Sequence, residues 1–165
     1  MNDLDILKRL GCPESVIRHS IAVSENALSI ARRVKIPVDR ELVRRGGLFH
    51  DLGRCKTHGI DHAIVGGRLA RKLGLGEEIA RIAERHIGAG IDHSEAEKLG
   101  LPPRDYLPMT PEEKIIAYAD NLTQGSGMLS FEEGLEKFKE ILGEGHPSIK
   151  RMMALHDEIQ AWINR

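Results

Sequence analysis

The sequence predicts an all-α fold, and three observations carry that prediction. Apolar residues recur at spacings of three and four along most of the 165 residues. The segments with that period are bounded by residues that start and stop helices, and no stretch shows the strict alternation of a half-buried strand. With 41% apolar and 30% charged side chains, the chain suits a single domain over residues 1–165, a bundle of about seven to eight helices around one core.

In CPESVIRHSIAVSENALSIARRV, Pro13 can take the first helical position, and Val16, His19, Val23, Ala27, Ile30 and Val34 mark one face. His19 therefore points inward with the apolar stripe. The chain restarts after Pro37 with Asp39 as an N-cap, and Gly53 is the natural stop of that helix. Inside it, Gly46 and Gly47 cost helix propensity just before His50, which points to another backbone approaching closely. DHAIVGGRLARKLG gives a third helix opened by Asp61 and His62, and EEIARIAERHIG a fourth, closed near Gly88 with His86 in its last turn. A hairpin of these two helices is expected to bring the two histidines only moderately close.

Residues 88–111 are rich in Gly and Pro, with one short helix expected at a Ser94-to-Glu97 capping box. So long an irregular insert is expected to act as a lid over a site. Thr110, Pro111 and Glu113 form a capping box before KIIAYADNL, where Ile116 and Asp120 share a face. Gly125 and Gly127 end that helix, SFEEGLEKFKEIL forms another, and Pro147 opens a last one carrying Ile149, Met152, His156, Ile159 and Ile163 on one stripe.

A formal charge of −1 leaves no field to hold nucleic acid or an anionic membrane, so no partner of either kind is expected. The cluster Arg32, Arg33, Lys35, Arg40, Arg44 and Arg45 lacks interleaved aromatics and reads as a solvated face. No signal peptide or membrane span is visible, and a cytoplasmic protein is expected. Cys12 and Cys55 form no CxxC pair and are expected to be separate thiols rather than a disulfide.

Three of the eight histidines fall within GLFHDLGRCKTHGIDHAIVGG, one of them joined to Asp51. Asp51 and Asp120 both sit near predicted helix C-termini, where a carboxylate is unfavourable by about 0.3–1 kcal/mol. A bound cation reverses that sign. Imidazoles and carboxylates together suit a divalent transition metal better than Ca²⁺. Arg54 and Lys56 follow at once, placed to meet phosphate as a fork and as a point charge, so Asp51, Arg54 and Lys56 are the candidate catalytic group. His156 reads as a core histidine, His146 as a helix-entry residue and His93 as a loop residue, while His58 stays open between exposed loop and support of the site. No P-loop is present, which argues against transfer from ATP.

The ordered set His19, His50-Asp51 and Asp120, separated by 31 and 69 residues, resembles the HD-domain metal-dependent phosphohydrolases over about Val16 to Leu122. HDLG stands where the commoner variant has Ile, and HAIVGG resembles the His-x-x-x-Gly element of the HDIG-type subgroup. The resemblance implies an HD-type bundle, with helices over 131–165 packing on a motif core of 16–122. It implies one or two divalent transition-metal ions (Mn, Fe, Co, Ni or Zn): His19, His50, Asp51 and Asp120 on the first, His62 and His86 on the second, with Asp51 bridging. The activity it implies is hydrolysis of a phosphate ester or phosphoanhydride in a small phosphorylated substrate, foremost a nucleotide, by metal-activated water. A cyclic-dinucleotide phosphodiesterase is disfavoured, because ERHIG lacks that branch's His-His pair and its Gly-Tyr-Pro signature is missing. Two rivals share the scaffold: a di-iron oxygenase, and a nonenzymatic nucleotide-sensing module that keeps metal for structure.

Overall fold

The computed structural model describes residues 1–165. Its elements are α1 (Asp3–Arg9), α2 (Glu14–Arg33), α3 (Arg40–Phe49), a 3-10 turn (Leu52–Cys55), α4 (His62–Lys72), α5 (Glu77–Glu84), α6 (His93–Lys98), α7 (Pro111–Leu122), β1 (Thr123–Gln124), β2 (Gly127–Met128), α8 (Phe131–Leu142) and α9 (Pro147–Ile163). The all-α expectation holds, with one helix more than anticipated: α1, closed by a reciprocal Asn2–Asp5 capping box. No helix is long and apolar enough to cross a membrane.

The apolar stripe of α2 forms the spine of the core. Val23, Ala27, Ile30 and Val34 are buried with Val43 and Phe49 of α3, Ile115, Ile116 and Ala119 of α7, and Met152 and Ile159 of α9. Each large side chain so enclosed contributes about 1.5–3 kcal/mol relative to exposure. The two glycines of α3 do what their cost implied. A Cβ on Gly47 would lie 2.6 Å from Ser24 Cα, and one on Gly46 would meet the Cδ1 atoms of Ile82 and Ile116 at 2.6 Å. Helix α2 therefore lies against bare backbone, and Ser24 Oγ donates to Arg44 O at 2.7 Å across the contact.

Several boundaries differ from the reading above. Helix α3 stops at Phe49 rather than Gly53, and the chain turns through His50 and Asp51 into the 3-10 turn. Gly53 is a point of contact: a Cβ there would overlap the His62 carbonyl and lie 2.8 Å from Gly66 N. Helix α7 ends at Leu122 and passes into a small hairpin that glycine content alone did not reveal, with Gly125 in its turn at φ +60°. Thr110 caps α7, but the Glu113 carboxylate accepts from Arg85 and from Met109 N instead of closing a box. The insert is more ordered than its Gly and Pro suggested. Asp92, not Ser94, caps α6, and Ile91, Ala96, Leu101 and Tyr106 form a small core with Ile64 of α4. Arg151 of α9 holds this segment through Gly90 O and Glu95 at 2.9 Å each.

Cys12 and Cys55, expected as separate thiols, are joined in a disulfide with Cα atoms 4.3 Å apart. The expectation rested on compartment and spacing. It missed that the turn after α1 delivers Cys12 to the end of the 3-10 turn. The bridge closes a loop across a sequence separation of 43, for which reduction typically costs about 2–4 kcal/mol. Urea unfolding with and without a phosphine reductant is expected to differ by that amount. A Cys12→Ser variant should match the reduced protein and be insensitive to reductant.

Candidate metal centre

Six side chains converge from three helices, the turn after α3 and the chain just past α5, which ends at Glu84 rather than carrying His86 in its last turn. His19 comes from α2, His50 and Asp51 from the break after Phe49, His62 from the first turn of α4, His86 from just past the end of α5, and Asp120 from the last turns of α7. The α4–α5 hairpin brings His62 and His86 much closer than expected, with their Nε2 atoms 3.2 Å apart. The start of one helix and the end of the next lie at the same end of an antiparallel pair.

Asp51 divides the cluster. Its Oδ2 lies 3.4 Å from His50 Nε2 and 3.7 Å from His19 Nε2. Its Oδ1 lies 3.4 Å from His62 Nε2 and 3.1 Å from His86 Nε2. Asp120 Oδ1 faces the first group, 2.8 Å from His19 Nε2 and 3.3 Å from His50 Nε2.

Imidazole orientation is set by the main chain. The Nδ1–H groups of His50, His62 and His86 donate to the carbonyls of Gly47, Gly59 and Ala83, three residues earlier in each case, at 2.7, 2.9 and 2.7 Å. In the neutral rings this fixes the tautomer and leaves the Nε2 lone pairs turned into the cluster. His50 Nε2 is fully buried and has no hydrogen-bond partner. Lone pairs and carboxylate oxygens packed this closely repel unless a positive charge stands among them. The residues could hold metal in three overlapping groups: His19, His50 and Asp51; His50, His86 and Asp120; and Asp51, His62 and His86.

The proton equilibria express the same demand. Burial opposes a charge on His50, yet the Asp51 and Asp120 carboxylates outweigh it and hold its pKa well above the usual imidazole value. Burial pushes the Asp51 and Asp120 carboxyls up, but the opposing field of His50 and hydrogen bonds from the surrounding imidazoles carry both well below the usual range. A metal ion therefore competes with protons, and acid weakens its binding.

Arg54 Nε lies 3.4 Å from Asp51 Oδ1, with the side chain 33% exposed, which puts a guanidinium at the rim of the cluster. Lys56 and His58 are exposed in the connection to α4, outside the cluster. His156, expected in the core, is half-buried at its edge but satisfied, with Tyr118 Oη at 2.6 Å from Nδ1 and Phe131 stacked at 3.7 Å. The basic residues read as a solvated face are in part tied down, Arg45 by Asp3 and Lys35 by the Arg165 carbonyl. Sequence reasoning missed Asn121, which donates to Gly88 O at 2.7 Å and fastens the loop after His86 to the helix bearing Asp120. Its adjacency to Asp120 was the one available hint.

A family model for the HD domain matches residues 16–125. The chain is 55% identical over 159 residues to the uncharacterized protein MJ0778 of Methanocaldococcus jannaschii, covering 94% of each. It is 42% identical to the tRNA (cytidine(56)-2′-O)-methyltransferase of Picrophilus torridus over 98% of its own length but 46% of that protein. It is 33% identical to Ribonuclease Y of Petrotoga mobilis over 73% of its own length and 22% of that protein. Among solved structures, the HD domain of the Listeria monocytogenes phosphodiesterase PgpH, in complex with cyclic-di-AMP, aligns with a TM-score of 0.54 at 19% identity over 90% of both chains.

The contact between Gly53 and α4 is directly testable. Gly53→Ala is expected to lose about 1–3 kcal/mol in urea unfolding, the usual cost of overpacking, because the added methyl drives His62 away from Asp51. An unchanged midpoint would contradict the close approach.

Proposed function

The chain belongs to the HD domain family, and from that premise we propose that it is a phosphohydrolase, cleaving a phosphate ester or phosphoanhydride of a nucleotide by attack of metal-activated water. The observation that supports this most is the division of Asp51, one oxygen facing His19 and His50 and the other His62 and His86. In this reading His19, His50, Asp51 and Asp120 hold one divalent ion, and Asp51, His62 and His86 hold a second. The donor set fits: buried imidazole lone pairs and carboxylates, with His50 Nε2 otherwise unpartnered. When bound, such ions supply Lewis acidity that lowers the pKa of water from about 15.7 to about 7 and offsets charge on the phosphoryl oxygens.

The chain's own residues do the rest. His50, His62 and His86 close the inner side against bulk water, with side chains at most 6% exposed. His19 and Arg54, 34% and 33% exposed, mark the open side from which substrate enters. There the Arg54 fork binds phosphoryl oxygens and turns phosphorus toward the cluster. Lys56, exposed beyond it, adds positive charge at the mouth. Two relatives carry RNA-directed names, although the chain spans less than half of either protein. An RNA phosphodiester is therefore the second reading, and a short oligoribonucleotide belongs beside the mononucleotides in any assay.

Metal analysis of protein purified under conditions that protect Fe²⁺ and Mn²⁺ is expected to find about two equivalents per chain. His62→Ala or His86→Ala should leave about one, and Asp51→Ala should lose both metal and activity while keeping its helical circular dichroism. Assays against nucleoside mono-, di- and triphosphates, dinucleotides and the oligoribonucleotide identify the scissile bond. A metal-loaded protein that hydrolyses none of them would overturn the proposal, and metal-dependent O₂ consumption would favour the oxygenase.

A further inference from the structure

A cavity of about 520 Å³ adjoins the cluster on its open side and shares His19 with it. That volume lies within the range of small-molecule sites. One wall is a stripe of α2, where Ser15, Arg18, Ala22 and Glu25 follow one another at helical spacing with Ile21 beside them. The other wall is the tip of the β1–β2 hairpin at residues 125–126. That hairpin is fixed against α2, since Asn26 Nδ2 donates to Thr123 Oγ1 at 3.0 Å and to Gly127 O at 3.3 Å. The cavity is thus built from two elements held in register, one carrying His19 and the other continuing the helix that carries Asp120.

Its polar groups are sparse and ordered. Arg18 and Glu25 are exposed, and neither takes part in any of the chain's ion pairs, whereas Arg54 at the cluster pairs with Asp51. Arg18 stands next to His19. Glu25 lies six residues further along α2, about 9 Å along the helix axis. Between them Ile21 and Ala22 offer an apolar surface. Moving away from the cluster, a ligand meets a cation, then an apolar face, then a lone carboxylate. A ribose whose 5′-phosphate sits at the cluster does not extend as far as Glu25, whereas the outer edge of a purine does. An ionised carboxylate only accepts hydrogen bonds and can take two from donors side by side. Among the common nucleobases guanine presents such a pair, N1–H and the exocyclic amine, on its pairing edge.

We propose that this cavity binds the guanine base of a nucleotide substrate, with Arg18 on the phosphate, Ile21 and Ala22 beneath the ring, and Glu25 accepting from both pairing-edge donors. The proposal rests on the phosphohydrolase reading for the position of the phosphate. Its test is binding, which does not depend on turnover. The probes are the non-hydrolysable 5′-methylenephosphonate analogues of GMP, IMP and AMP, titrated by calorimetry into Mn²⁺-loaded full-length protein. The guanine analogue is expected to bind at least about tenfold tighter than the hypoxanthine analogue, which lacks the amine, and tighter still than the adenine analogue. Glu25→Gln should remove the guanine preference, because a carboxamide offers one donor and one acceptor and meets the O6/N1–H edge of guanine or hypoxanthine as well as the N1/amine edge of adenine. Arg18→Ala should weaken all three alike and keep their ratio. Equal binding of the three analogues, binding of none, or an unchanged order in Glu25→Gln would overturn the assignment. A guanine preference without hydrolysis of any phosphate ester would instead remove the phosphohydrolase reading and leave the base site standing. Nucleotide hydrolysis with no base preference would do the reverse.

Discussion

The structure depends on a carboxylate held where a helix breaks. If α3 ran on to Gly53, Asp51 would be one more helical side chain facing a single direction. Because the helix stops at Phe49 and the chain turns, His50 and Asp51 leave it together, and the two oxygens of one carboxylate face opposite groups of imidazoles. The turn keeps that attitude by packing directly on α4, where Gly53 and Gly66 bring backbone against backbone. Helices α2 and α7 then need only present His19 and Asp120 to a centre already formed. Their 2.8 Å contact joins residues 101 apart in sequence.

How much of this could be read in advance varied with the physics that decides each feature. The six clustered residues were legible because they form an ordered set of metal-binding types, and helical period put His19 and Asp120 on inward faces. The close approach at Gly46 and Gly47 was legible because two glycines inside a helix require a reason. Gly53 was misread, since a glycine past the end of an apolar period looks the same whether it ends a helix or admits a neighbour. The hairpin at 123–128 is too short to alternate, and the Cys12–Cys55 bridge joins segments whose proximity only the tertiary fold creates. The order within residues 88–111 comes from one small core and from Arg151, a residue distant in sequence.

The cluster is sealed on one side and open on the other. The α4–α5 hairpin carries the buried His62 and His86, and the insert packs on Ile64 and Ile87 beside them, whereas His19 sits on the helix that also carries the exposed stripe of Arg18 and Glu25. A single helix thus contributes a core stripe, a member of the cluster and one wall of a cavity. Rotation of α2 by one residue would disturb all three at once, and the Gly47–Ser24 contact opposes it.

Control of the imidazoles by main-chain carbonyls has a consequence for how such a centre drifts over time. The groups that aim His50, His62 and His86 belong to the backbone of residues 47, 59 and 83, and no substitution can delete a carbonyl. Two of these positions are glycines and the third an alanine, and Gly47 must stay bare against Ser24, so packing limits what can stand there while the lone pairs take their bearing from the main chain. What the centre cannot absorb is an inserted or deleted residue within any of those three-residue spans. Its vulnerability lies in changes of length rather than of letter.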